Sequence, residues 1–183
     1  MVSVPVVPDR PETRDELIEL KKKCKIGIFG SYTNANKTQL SLLQIFLKSN
    51  NYLNTHLATD LQETFNRFEG ETESEYDHRI SDKLITYCNI HIFVVFCENA
   101  EEHGTNISVF GEIQESRHRR RKNIILYYQK GAQHQVGNYF KTYLVDPNYS
   151  WKPYDFKKEL KEKYDQILGQ LFEMCHRVSQ NSR

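Results

Sequence analysis

"HIFVVF", His91–Phe96, is a single histidine followed by an unbroken apolar run. A strand with one face in water alternates apolar and polar residues. A strand covered on both faces of a parallel sheet does not. The stretch therefore predicts a central parallel strand. Its flanks agree. Upstream, "ESEYDHRISDKLITYCN" places Tyr76, Ile80, Leu84 and Tyr87 at helical spacing. Downstream, the polar loop "CENAEEHGTN" leads into a helix through "ISVFGEIQESRHRR", with Thr105 or Asn106 available as its cap. Helices on either side of an apolar strand are the repeating unit of an α/β sheet.

Working outward, Lys25–Gly30 in "KIGIFGSY" is a second short apolar run and reads as the first buried strand. A helix precedes it, with Thr13 as N-cap, Leu17, Ile18 and Leu20 as apolar positions, and Lys21–Lys23 at the negative end of the dipole. The helix after it runs through "KTQLSLLQIFLKSN", with Leu40, Leu43, Phe46 and Leu47 on one face and Thr38 as a candidate cap. "NTHLATD" reads as a short strand, and residues 60–72 as a loop or short helix. "NIILYY" is the expected fourth strand and "YFKTYLVD" the fifth. A long helix from Asp155 to His176 closes the chain, with Phe156, Leu160, Tyr164, Ile167, Leu168, Leu171 and Phe172 as its inward stripe. The expected fold is α/β: a three-layer flavodoxin-like domain with a parallel five-stranded sheet in the order 2-1-3-4-5. Residues 1–9, with Pro5 and Pro8, read as a loose tail, and 10–183 as a single domain with N- and C-terminal helices.

Composition narrows the function classes. With 183 residues and 38% hydrophobic content the chain can bury a core of its own. A formal net charge of +1 creates no field to attract nucleic acid or membrane, and neither is an expected partner. No run of about 18 apolar residues suggests a membrane span. The first residues lack the basic and apolar regions of a signal peptide, so a cytoplasmic location is expected. Cys24, Cys88, Cys97 and Cys175 form no C-x-x-C pair, and reduced, mostly buried thiols are expected. The histidines show no zinc-ligand spacing, so neither metal nor cofactor is expected.

An open α/β sheet binds ligands beyond the carboxyl ends of its strands, where the winding direction reverses. Here that point lies between the first and third strands. The loops meeting there are "GSYTNANK" and "CENAEEHGTNIS". Gly30 would allow close backbone approach, Ser31 and Tyr32 carry hydroxyls, and Asn34 carries an amide. The same residues also suit a plain strand-to-helix turn. Glu98 and Asn99 open the second loop. On the helix beyond it, Ser108 and Glu112 are four residues apart and share a face, while Glu115 reads as solvated. Gly111 costs about 1 kcal/mol in a helix, so a close approach by a strand or ligand would account for it. "RHRRRK" is either a phosphate contact or a helix end projecting into water.

A strand ending in Gly-Ser, a very apolar strand, "GTNISVFGE" and a basic turn into "NIILYY" together resemble the nucleoside 2-deoxyribosyltransferase-like fold and the related TIR-like N-glycosidases. The resemblance implies a catalytic carboxylate at Glu112, a helix-start hydroxyl at Ser108, and substrate contacts from Gly30, Ser31 and Tyr32. It implies hydrolysis or exchange of the N-glycosidic bond of a nucleoside, a nucleotide or NAD. Two positions differ from that group: Gly104-Thr105 stands further from the Glu, and Asn89 stands where an Asp is common. The alternatives are a nucleotide-sensing module without chemistry, or a TIR-like oligomerising domain using its first and last helices, with a homo-oligomer as the partner.

Overall fold

The structure is a computed structural model that describes residues 13–97, 105–120, 123–132 and 154–180. Its sheet has five parallel strands: β1 (Ile26–Gly30), β2 (Thr55–Leu57), β3 (Ile90–Val95), β4 (Ile124–Gln129) and β5 (Tyr154–Phe156). The spatial order is β2-β1-β3-β4-β5, as the sequence predicts. β3 is central, pairing Phe29 with Phe93 on one side and Phe93 with Leu126 on the other.

The helices wholly within the described residues are α1 (Arg14–Lys23), α2 (Asn34–Ser49), α3 (Ala58–Gln62), α4 (Glu73–Tyr87), α5 (Thr105–Arg120) and α6 (Tyr164–Gln180), the last entered by a 3-10 turn at Leu160–Lys163. Alternation along β3 divides the core. Ile90, Ile92 and Val94 pack with Leu40, Leu43 and Leu47 of α2 and Ile167, Leu171 and Met174 of α6. Phe93 and Val95 pack with Ile80, Leu84 and Ile85 of α4 and Val109, Phe110 and Ile113 of α5. Both sides being filled explains the apolar run: no residue of β3 meets water.

His91 is the polar exception in that strand, and it is fully buried. One ring nitrogen shares a hydrogen bond with Ser116 Oγ of α5, and the other faces the Cys88 carbonyl at 3.2 Å. The pair ties α5 to the sheet one turn beyond Glu112. Thr13 and Thr72 start α1 and α4 through capping boxes with Glu16 and Glu75.

Several expectations are corrected. The fifth strand of the described sheet is Tyr154–Phe156, so Asp155 and Phe156 belong to the sheet and the closing helix starts later. "YFKTYLVD" lies outside the described residues. Thr38 lies inside α2, whose cap position is Thr33, and Thr105 and Asn106 lie in the first turn of α5 rather than ahead of it. Tyr87 and Phe172 are exposed at 45% and 37%; Ile85, Met174 and Cys175 take the inward positions. A helix of 3.6 residues per turn drifts away from a strict four-residue stripe. The thiols are not all free. Cys24, ending α1, pairs with Cys175 of α6 as a disulfide across 151 residues, with Cα atoms 5.9 Å apart. That proximity comes from α1 packing on α6, which no local spacing reveals. Cys88 and Cys97 take part in no disulfide among the described residues. Among the described residues no helix is long and apolar enough to cross a membrane.

Candidate functional site

A cleft of about 1220 Å³ opens at the carboxyl end of β1, among the β1–α2 turn, α3, α4 and α5. This is the side of the sheet where the strand order reverses between β1 and β3. The turn contributes Gly30, Ser31, Tyr32 and Thr33, and the first turn of α2 adds Lys37. α3 contributes Thr59 and Gln62. The opposite side is acidic: Glu73, Asp77 and Asp82 from α4, with Glu112 and Glu115 from α5.

Glu112 is the most strongly perturbed of these carboxylates. Its residue is half-buried, and desolvation pushes its carboxyl pKa from the usual 4.5 up to about 7. Ser81 of α4 donates its hydroxyl to a Glu112 oxygen, which opposes part of that rise and holds the carboxylate in place. The group is therefore poised between its two protonation states near neutral pH. Asp77 is also raised, first by burial and then by Glu73, and accepts from Gln62 Nε2 at 3.0 Å.

On the other side, hydroxyls predominate. Tyr32 donates to the Ile28 carbonyl at 3.2 Å and accepts from the Ala58 amide at 3.0 Å. Burial pushes its pKa up, so it stays a neutral phenol clamping α3 to β1. Ser31 is only 5% exposed. Among the described residues, its Oγ and the Oγ1 of Thr33 have no hydrogen-bond partner. A buried hydroxyl left unpaired costs about 1–3 kcal/mol, which a ligand supplying a partner would recover.

The structure brings together Gly30, Ser31, Tyr32, Ser108 and Glu112 of the expected site. Ser108 is exposed on the rim, and the hydroxyl on Glu112 is that of Ser81 instead. Gly30 is explained by packing: a Cβ there would lie 2.9 Å from the Val94 carbonyl oxygen and 3.2 Å from Leu40. Gly111 has no packing explanation, since a Cβ would meet nothing within 4 Å; the position is exposed and borders the cleft. Glu115, read from sequence as solvated, also lines the cleft. Phe29 is core, with its ring 4.7 Å from Phe93. Asn34 begins α2, but its side chain lies outside the described residues, as do Glu98, Asn99 and the side chains of "RHRRRK".

Asn89 lies at the amino end of the sheet, away from the cleft. Its Oδ1 accepts from the Lys25 amide and its carbonyl from Asn123 Nδ2, both at 3.0 Å. Sequence reading missed Ser81, Asp77, Thr33 and Lys37. Ser74, Asp77 and Ser81 do form a polar line along α4, but any solvated helix face produces such a line. Among the described residues no group of His, Cys, Asp and Glu is arranged to hold a metal ion. In comparisons with known proteins, the chain matches no family model and no curated protein.

Proposed function

We propose that this chain hydrolyses or exchanges the N-glycosidic bond of a nucleoside, a nucleotide or NAD, with Glu112 acting at the anomeric carbon. The observation that carries the reading is the buried Glu112 carboxyl group, held by Ser81, in a cleft shared with the Ser31 hydroxyl, which has no partner among the described residues. Breaking the C1′–N bond sends its electron pair to the base and leaves oxocarbenium-like charge on the sugar. A carboxylate of low solvation stabilises that charge strongly, or traps it as a glycosyl ester. In the trapped route a Glu112 oxygen bonds to C1′ as the base departs and takes up a proton. Water, or an acceptor base in an exchange, then attacks C1′ and releases the carboxylate. Ser108 supplies a hydroxyl suited to the sugar.

The test is product analysis with NAD and a panel of nucleosides, deoxynucleosides and nucleotides, comparing wild type with Glu112→Gln. Gln keeps size and hydrogen bonding but cannot balance positive charge. Turnover should fall by about a hundredfold or more, equivalent to about 2.7 kcal/mol of transition-state stabilisation. Turnover unchanged by the substitution would remove Glu112 from the chemistry. Nucleotide binding with no turnover of any substrate would leave the cleft as a sensing module.

A further inference from the structure

We infer that the amino end of α2 is a phosphate subsite of the cleft, so that the sugar it holds carries a 5′-phosphate; the inference rests on the glycosidic reading above. α2 is a 16-residue helix with no acidic residue in its first turn. Thr33, at its cap position, makes no side-chain bond to the helix. The first N–H groups of a helix have no acceptor within it and carry partial positive charge, which is the setting in which phosphates bind. The second, independent observation is the pair of buried hydroxyls. Ser31 is 5% exposed, and neither its Oγ nor Thr33 Oγ1 has a partner among the described residues, although both residues line the cleft. Phosphate oxygens accept from hydroxyls and from backbone N–H groups alike. Lys37 projects from the same helix turn onto the same cleft and adds a full positive charge.

The rest of the cleft makes this position selective. Glu73, Asp77 and Glu112 stand on α4 and α5, so an anion placed there would meet carboxylates. A phosphorylated sugar is thereby oriented. Its phosphate sits at α2, and the carbon at the far side of the ring turns toward Glu112. Positive charge developing at that carbon then faces the acidic side.

Calorimetric titration of the full chain with ribose 5-phosphate, ribose and inorganic phosphate tests the subsite without knowledge of the base. Ribose 5-phosphate should bind at least about tenfold more tightly than ribose, and inorganic phosphate should compete with it. Lys37→Gln, at an exposed position that folding does not require, should weaken ribose 5-phosphate about three- to tenfold and leave ribose unchanged. Thr33→Val should weaken it as well, with thermal melting confirming the fold. Equal binding of the two sugars, no binding of ribose 5-phosphate, or a preference indifferent to both substitutions would overturn the subsite. The two readings fail separately. Ribose 5-phosphate binding without turnover of any substrate keeps the subsite and removes the glycosidic chemistry. Equal turnover of nucleosides and nucleotides, unaffected by Lys37→Gln, keeps the chemistry and removes the subsite.

Discussion

The two ends of the sheet treat their polar groups differently. At the amino end, Asn89 joins the start of β1 to the start of β4 through Lys25 and Asn123, and the Ile26 amide donates to the Asn54 carbonyl at 2.8 Å. These polar atoms have protein partners, whereas His56 Nε2 on β2 and His176 Nε2 on α6 are, like the hydroxyls at the carboxyl end, buried without one among the described residues. At the carboxyl end, Ser31 and Thr33 hold buried hydroxyls without partners among the described residues, and Glu112 keeps a carboxyl group where its charge is disfavoured. Folding alone favours the first arrangement. The second weakens the fold locally and keeps donors and a carboxylate ready for something else, which is how functional sites depart from the rest of a structure.

The sharpest way to break this contrast is Glu112→Gln, read as stability against pH. The folded-state pKa of Glu112 lies above its unfolded value, so the folded chain holds the extra proton. That contribution is fully present below pH 4.5 and is lost as pH rises through about 7. Gln cannot ionise. Near pH 8 the variant should therefore be more stable than wild type by up to about 3 kcal/mol, and near pH 4 the two should match. Urea unfolding across that range checks it. A constant difference at every pH would mean that Glu112 is not the strained group described.

The amino end should respond in the opposite direction. Asn89→Ala removes both side-chain acceptance from Lys25 and the packing that positions the strand entry, and should destabilise by about 1–3 kcal/mol at every pH. The smallest expected effect is that of Ser31→Ala. It deletes a hydroxyl without a partner among the described residues but also that oxygen's packing contacts, so the net should be a stabilisation of about 1 kcal/mol, while ligand binding weakens. If Ser31→Ala destabilised as much as Asn89→Ala, the two ends would be alike and the hydroxyl would be structural.

Much of the fold is carried by local pattern. The apolar run at His91–Phe96 can be satisfied only by cover on both faces, and the helical stripes on either side supply that cover. The parallel sheet follows from that requirement, its order is the usual winding of such strands, and the reversal of that order brings the loops carrying Gly30, Ser31, Tyr32, Ser108 and Glu112 to the cleft. What local pattern does not contain is which distant side chains meet. Ser81 reaches Glu112 across 31 residues, and Cys24 reaches Cys175 across 151. Both contacts are products of helix packing angles, which depend on the summed shape of many side chains rather than on any spacing along the chain. The ionisation of Glu112 is of the same kind: its pKa is set by how much water the assembled α4–α5 pair excludes, and a sequence holds no measure of solvent exclusion until it has folded.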